Sequence, residues 1–147
     1  MLACTFFGHK DTPDSIEEKL RLTIIDLIEN KNISLFYVGN QGNFDYMVRK
    51  NLKKLKSKYP HIQYRVVLAY RPYKKDDSKD YSDTIYPETL ENTPNKYAII
   101  KRNESMINLS EYVVTYVKHS IGGASTFKRL AEKKNKIILN LADDTIE

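Results

Sequence analysis

The chain has a single cysteine, Cys4, among 147 residues, which excludes an internal disulfide bond. It also lacks any apolar run near the roughly 20 residues that a membrane-spanning helix needs. The start of the chain has no basic segment followed by a long apolar stretch, so no signal peptide is predicted. The histidines and the cysteine are scattered without metal-ligand spacing. These absences favour a cytoplasmic protein with no metal centre, no cofactor and no membrane partner.

What the chain does contain is the composition of an ordinary globular domain. Hydrophobic residues make up 41% and charged residues 29%, a balance unlike that of a disordered chain. The length fits one domain with a sizeable core, so residues 1–147 are predicted to form a single domain.

The net charge is +5, and much of the basic excess lies in the run Arg49–Lys58. This run predicts either a patch for a polyanion such as nucleic acid or the solvated face of an amphipathic helix. Aromatic residues are not interleaved within it as a base-stacking surface requires. The sequence therefore favours the solvated helix face and makes nucleic acid an unlikely partner.

Apolar runs alternate with amphipathic segments along the chain, and between them 71–95 is a long, charged, irregular connection. A helix capped by Asp14 or Ser15 is predicted after the first strand, and others from Gln41, from Lys101 and around Phe127. The predicted strands are Leu2–Phe7, Ile33–Val38, Ile62–Tyr70, Tyr97–Ile100, Glu111–Val117 and Lys136–Leu141. This order predicts an α/β fold: a Rossmann-like wound, mostly parallel sheet of five or six strands with helices on both faces.

Glycine is scarce, with five residues, and they follow three of the predicted strands. In a wound sheet those strand ends meet at one edge, where the free amides at the start of each following helix favour an anion such as phosphate. None of the turns matches the P-loop or the G-x-G-x-x-G pattern. The glycines therefore predict an anion site, without support for P-loop hydrolysis or a standard dinucleotide enzyme.

The stretches FFGHK, GNQGNFD and YPETLENTPNKYAIIKRNESM, with the glycine pair of HSIGGAST, resemble the SLOG superfamily. This Rossmann-like group includes the lonely-guy phosphoribohydrolases. The resemblance is closest to the small SLOG proteins of Gram-positive bacteria and their mobile elements, and it covers nearly the whole chain. It implies a nucleotide or ribosyl phosphate bound across the strand ends, and a homo-oligomer.

The resemblance and the glycine turns together place fourteen residues in the ligand site. They are Gly8, His9, Gly39, Asn40, Gly42, Phe44, Asp45, Arg102, Asn103, Gly122, Gly123, Ala124, Ser125 and Thr126.

One departure from the family matters for activity. The phosphoribohydrolases carry P-G-G-x-G-T followed by a catalytic acid. Here Ile121 and Ser125 replace the proline and the third glycine, and Lys128 and Arg129 stand where the acid is expected. The departure argues against phosphoribohydrolase activity and leaves the catalytic residue unknown.

Three functions remain open from the sequence. The first is a binding module or sensor for a nucleotide-derived small molecule. The second is an enzyme that cleaves or transfers at an N-glycosidic bond, with Asp45, Arg102 and Glu132 as candidate catalytic residues. The third is nucleic-acid binding through Arg49–Lys58.

Single residues also carry alternatives. His9 is either a donor or general acid at the ligand, or a turn residue bonded to backbone. Arg102 is either a bidentate phosphate clamp or a surface ion pair with Glu104 or Glu111. Asp45 either contacts the ligand or serves as a carboxylate favoured by the start of a helix.

Overall fold

Strands and helices alternate along the chain in a computed structural model that describes residues 2–69, 84–85, 95–120 and 122–143. Within these residues every strand pair is parallel. The strands are β1 (Leu2–Gly8), β2 (Ile33–Val38), β3 (Gln63–Val67), β4 (Thr84–Ile85), β5 (Tyr112–Tyr116) and β6 (Ile137–Asn140), in the sheet order β4-β3-β2-β1-β5-β6. The predicted Rossmann-like wound sheet is confirmed.

Helices cover both faces of this sheet. They are α1 (Glu17–Asn30), α2 (Gly42–Lys58), α3 (Asn95–Asn108) and α4 (Gly123–Lys133). The apolar faces of α1 and α2 form one buried cluster with Phe6 and Phe36 of the sheet. A second cluster joins α3 and α4 to Phe7 and Val113 on the opposite face. Adjacent residues of β1 therefore serve opposite layers, as the two-residue period of a strand requires.

The predicted cap of the first helix is wrong. A single 3-10 turn, Asp14–Ile16, precedes α1, and Ile16 occupies the N-cap without a side-chain hydrogen bond. The Asp14 carboxylate instead accepts a hydrogen bond from Nδ2 of Asn43, at 2.8 Å. That contact ties the connection after β1 to the start of α2.

The predicted fourth strand, Tyr97–Ile100, is also wrong, because those residues form the first part of α3. The buried positions Ala98, Arg102 and Met106 repeat every four residues, which is helical spacing. Two of the buried positions in α3 are polar, Arg102 and Asn103, so the apolar stripe is interrupted and the short apolar run resembles a strand.

Most of the irregular segment 71–95 lies outside the described residues. Its described part contributes β4, which pairs in parallel with β3 at the edge of the sheet. Among the described residues, no helix combines the length and the apolar character needed to cross a membrane.

The strand order reverses between β1 and β5. From β1 the chain adds β2, β3 and β4 on one side, then returns to place β5 and β6 on the other. In open α/β sheets, ligand crevices form at the carboxyl ends of the strands beside such a reversal. The fold therefore predicts a ligand crevice at the turns that follow Gly8 and Tyr116.

Candidate functional site

A cleft of about 370 Å³ lies beside the reversal point, where the turns after β1, β2 and β5 meet. This volume falls in the range of small-molecule sites. Its walls combine aromatic and aliphatic side chains with a few polar groups. They are Phe6, Phe7, Gly8, His9, Lys10, Gln41, Asp45, Ile99, Arg102, Asn103, Met106, Gly123, Ala124 and Phe127.

The turn after β1 depends on the absence of a side chain at Gly8. A Cβ atom there would overlap the ring of Phe44, which is fully buried beneath the turn. Phe44 therefore supports the site from below and is not among the residues that line the cleft.

His9 joins the turn after β1 to the turn after β5. Its Nε2 atom accepts a hydrogen bond from the backbone amide of Lys118, at 3.0 Å, which places the ring proton of the neutral form on Nδ1. The ring also lies 5.0 Å from that of His119 and meets Tyr116 edge to face. Partial burial, then the neighbouring His119, lower the pKa of His9 below its ordinary value, and Asp11 opposes them.

The start of α2 is packed tightly against the same turn. Gly42 has a φ of +87°, and a Cβ atom there would stand 2.6 Å from Cα of Lys10. The amide of Asn43 donates to the carbonyl oxygen of Lys10 at 2.8 Å. Glycine at this position thus allows α2 to hold Lys10 at the edge of the cleft.

The start of α4 forms the opposite edge. Gly122 has a φ of +115°, and added Cβ atoms at Gly122 and Gly123 would meet nothing within 4 Å. The first helical hydrogen bond runs from the amide of Thr126 to the carbonyl oxygen of Gly122. The preceding amides of α4 therefore have no carbonyl acceptor within the helix. The hydroxyl groups of Ser125 and Thr126 donate to that same Gly122 oxygen, at 2.9 and 3.0 Å, and not into the cleft.

Asp45 is the acidic group of the cleft. Its Oδ2 atom accepts the amide of Gln41 at 3.0 Å. Burial raises the pKa of this carboxyl to about 6, against the opposing effects of the Gln41 amide and of Arg102 and Arg49. A carboxyl group whose pKa is raised by burial inside a cleft is a common feature of functional sites.

Arg102 is buried at the strand ends, and the alternative of a surface ion pair with Glu104 or Glu111 is not found among the described residues. Its Nη1 atom donates to the carbonyl oxygen of Val67 at 3.0 Å and to Oδ1 of Asn40 at 3.3 Å. Glu104 lies near Lys101, and Glu111 accepts the amide of Ala3. The guanidinium group thus connects α3 to the ends of β2 and β3.

Seven of the fourteen predicted site residues line the cleft: Gly8, His9, Asp45, Arg102, Asn103, Gly123 and Ala124. Gly39 lies against Asp45 and Arg102, and Asn40 reaches the cleft through Arg102. Glu132, a candidate catalytic residue, is exposed on α4 beside Lys128 and does not line the cleft.

Sequence reasoning missed several residues of the site. Lys10 and Gln41 could have been predicted as site residues, because each lies in or beside a glycine turn that the sequence analysis identified. Ile99 was assigned to a strand, and His119 had no visible partner until the fold brought it to His9.

Several basic side chains of the run Arg49–Lys58 make contacts within the protein. Arg49 donates to the carbonyl oxygen of Gly39, and Lys50 forms an ion pair with Glu17 at 2.6 Å. Lys56 donates to the carbonyl oxygen of Ile62. Lys53 and Lys54 remain exposed. The run therefore behaves mainly as the polar face of α2.

Together the sheet order and the turns define a Rossmann-like α/β protein with a cleft beside its reversal point. Two solved structures share this fold. DNA processing protein A (DprA) from Streptococcus pneumoniae gives a TM-score of 0.66 at 12% identity, over 94% of this chain and 49% of that one. DprA from Helicobacter pylori gives 0.67 at 17% identity, over 93% of this chain and 63% of that one.

This chain thus spans less than two thirds of either DprA chain. Both likenesses show a shared Rossmann-like fold, so the SLOG resemblance is supported at the level of the fold alone. No family model and no curated sequence matches the chain.

The comparison corrects the partner expected from the sequence. A nucleotide-derived small molecule was placed first and nucleic acid was considered unlikely. The H. pylori structure was determined to explain how that DprA binds single-stranded DNA. A single-stranded DNA-binding protein thus shares this fold, which overturns the expectation that nucleic acid is an unlikely partner. The sequence made nucleic acid unlikely because it considered the basic residues of one local run, Arg49–Lys58.

Proposed function

We propose that this protein binds single-stranded nucleic acid, with DNA as the first candidate, at the cleft between β1 and β5. The observation that carries the proposal is the shared fold with H. pylori DprA, a single-stranded DNA-binding protein, over 93% of this chain. The chemistry of the cleft supplies independent support.

The edges of the cleft suit a phosphate of the nucleic-acid backbone. Lys10 is exposed at one edge, and Lys118 is exposed in the turn that carries its amide to His9. The amides of Gly123 and Ala124 begin α4 at the opposite edge, where the helix dipole favours an anion. No side chain at Gly123 separates these amides from a ligand.

The interior of the cleft suits a base. Phe7 and Phe127 stack on each other with ring centroids 5.6 Å apart, and Met106 and Ile99 complete an apolar wall. A single strand can place an unpaired base against such a wall while its backbone stays at the charged edge. A paired duplex cannot present its bases in this way.

Fluorescence anisotropy with a labelled single strand tests the proposal. Lys10→Glu with Lys118→Glu reverses two positive charges, one at the cleft and one in the turn that joins it at His9, and Lys53→Glu with Lys54→Glu makes the same change on α2. We expect the first pair to abolish most of the binding and to lower the salt slope by about 1.4, at about 0.7 per phosphate contact. The second pair should retain binding.

Two results would overturn the proposal. One is the absence of binding by the wild-type protein at low salt. The other is an equal loss of affinity in both double variants, because that would place binding outside the cleft or make it a matter of net charge alone.

A further inference from the structure

Asp45 places a buried carboxyl group in the cleft. It is only 7% exposed, and it is the one acidic side chain among the described residues that line the cleft. Its Oδ2 atom accepts the Gln41 amide at 3.0 Å, whereas Oδ1 has no hydrogen-bond donor in the part of the chain that the structure describes. In that part, the fully buried side-chain nitrogen or oxygen without a partner is Oγ1 of Thr115, so Oδ1 keeps its access to solvent. A ligand that fills the cleft therefore meets this carboxyl group.

Two arginines face the same carboxyl group from within the protein. Burial raises the pKa of Asp45 to about 6, and the Gln41 amide, Arg102 of α3 and Arg49 of α2 oppose that rise. Each arginine also donates to a backbone oxygen, Arg49 to that of Gly39 and Arg102 to that of Val67. Since burial outweighs both arginines, the negative charge on Asp45 is unfavourable before any ligand arrives.

The cleft side of Asp45 carries further charged or titratable groups. His9 and Lys10 line the cleft, and Lys118 and His119 lie beside His9. The lysines stay protonated throughout the neutral range, so their charge does not change with pH there. Histidine can change its charge in that range. An experiment on Asp45 must therefore separate its contribution from that of His9.

We propose that Asp45 takes up a proton when a single strand enters the cleft, so that affinity for the strand rises as pH falls. The inference rests on the proposed function and adds the regulation of the same site. A phosphate of the strand brings a negative charge towards the carboxyl group, and a base against the apolar wall excludes water from it. Both effects disfavour the ionised form of the carboxyl group.

The direction of the charge effect does not depend on where the phosphate lies, because like charges repel at every distance. Two like charges about 8 Å apart, at an effective dielectric constant of about 20, change a binding constant roughly 30-fold, and screening by salt lowers this to about 10-fold. A base offers a partner to either form of the carboxyl group. Thymine, for example, donates its N3–H group to a carboxylate, and its O4 oxygen accepts from a protonated carboxyl. Charge therefore decides which form binds the strand more tightly.

The pH window follows from the two values of one pKa. Proton uptake means that the pKa of Asp45 is higher in the complex than the value of about 6 in the free protein. Affinity is then highest below about 6, where both states hold the proton, and it declines as pH rises from 6 to the pKa of the complex. Above that pKa both states are ionised, and affinity is constant.

Anisotropy with unphosphorylated oligo(dT) tests the inference at about pH 5 and about pH 8, at constant salt. Neither thymine nor a phosphodiester changes its charge in this range. We expect the wild-type protein to bind more tightly at the lower pH, and Asp45→Asn to show a gain about 10-fold smaller. His9 is present in both proteins, so its contribution cancels in this comparison. Asp26→Asn removes a carboxylate from an exposed position of α1 and should show the wild-type gain.

Calorimetry of the wild-type protein needs no variant. Titrations with oligo(dT) at about pH 6.5, in two buffers of different ionisation enthalpy, should give different apparent binding enthalpies, equivalent to the uptake of roughly half a proton per strand. Identical enthalpies in the two buffers would overturn the inference.

The outcomes separate this inference from the proposed function. If the wild-type protein binds oligo(dT) at neither pH, the proposed function fails and proton uptake fails with it. If it binds equally well at both, only proton uptake fails. If Asp45→Asn keeps the full wild-type gain, the proton is taken up at another residue, and the role of Asp45 is overturned.

Discussion

Gly39 lies so close to Asp45 that a Cβ atom on the glycine would stand 2.6 Å from Oδ2 of the carboxylate. The same atom would approach Nη1 of Arg102 to 3.0 Å. The end of β2 therefore fits between the acidic and the basic group of the cleft, and its lack of a side chain fixes where both can sit. The geometry of the site is set by backbone contacts as much as by the charged groups.

Gly39→Ala should therefore disturb the site directly. The added methyl group displaces the Asp45 carboxylate from the Gln41 amide, and we expect a loss of roughly 1–3 kcal/mol in the free energy of unfolding. Urea denaturation measures the loss. The matched control is Gly123→Ala, where the new atom meets nothing within 4 Å. Equal stability of the two variants would contradict the proposed packing.

Gly123→Val separates binding from folding. The start of α4 is open around Gly123, so the free energy of unfolding should change by less than about 1 kcal/mol. A phosphate held by the amides of α4 would be pushed away, and affinity for a single strand should fall roughly 10-fold or more. Anisotropy and urea denaturation of the same preparation give the two quantities. Unchanged affinity would remove the start of α4 from the binding site.

Asp45 links stability to pH with a sign opposite to that of most carboxyl groups. Its pKa rises from 3.8 to about 6 in the folded protein, so the folded state holds the proton more tightly than the unfolded chain does. The unfolding free energy therefore contains a contribution that grows as pH falls from above 6 towards 3.8. Above that window, the ionised carboxylate costs on the order of 3 kcal/mol.

Asp45→Asn should accordingly stabilise the protein above pH 6, and the gain should shrink as pH approaches 3.8. Urea denaturation at the two ends of this window measures the difference between the variant and the wild-type protein. Asp26→Asn makes the same change at an exposed position of α1 and should alter stability by less than about 0.5 kcal/mol. A gain that does not depend on pH would show that burial of the charge is not its cause.

The sequence predicts those elements of the fold that depend on residues close together in the chain. The strand β2 and the buried stripe of α2 follow from apolar periodicity alone, and both are confirmed. The start of α3 does not, because Arg102 and Asn103 occupy buried positions that the periodicity expects to be apolar. The Arg102 guanidinium group finds its acceptors on Val67 and Asn40, which are distant in the chain, so the local pattern cannot reveal why this residue is buried.

The contacts across the cleft are harder to predict for a different reason. His9 and Lys118 are 109 residues apart and become neighbours only because β5 returns beside β1. The strand alternation predicts a wound sheet, but it does not specify this neighbour. For the same reason the basic run on α2 is visible in the sequence, whereas the approach of the Lys118 amide to His9, beside Lys10, is not.

His9 should report the state of this junction by NMR. Its neutral ring is expected to carry the proton on Nδ1, because Nε2 accepts the Lys118 amide, and its pKa should lie below 6.5. The unfolded chain then takes up the proton first, so the stability that His9 contributes is complete above 6.5 and is lost as pH falls through the folded pKa. His119→Gln should raise the pKa of His9, because it removes a neighbouring charge. A pKa at or above 6.5 in the wild-type protein would contradict this account.

A substitution of Arg102 tests whether this residue stabilises the strand ends or binds a phosphate of the ligand. Its guanidinium group donates to Val67, Asn40 and Asn103 from two separate nitrogens, a geometry that one lysine ammonium group cannot reproduce. Arg102→Lys should therefore lower the free energy of unfolding by roughly 2–4 kcal/mol, because buried acceptors lose their donors. Lys101→Arg, on the exposed side of the same helix, should change it by less than about 0.5 kcal/mol.

The two roles of Arg102 predict different pairs of measurements. If the residue organises the strand ends, Arg102→Lys loses stability, and affinity for a single strand falls because Asn103 and Asn40 lose their positions. If it clamps a phosphate, affinity falls while the urea midpoint stays at the wild-type value. Arg102 is only 2% exposed, and its guanidinium group already donates to three acceptors, so the first pair of results is expected.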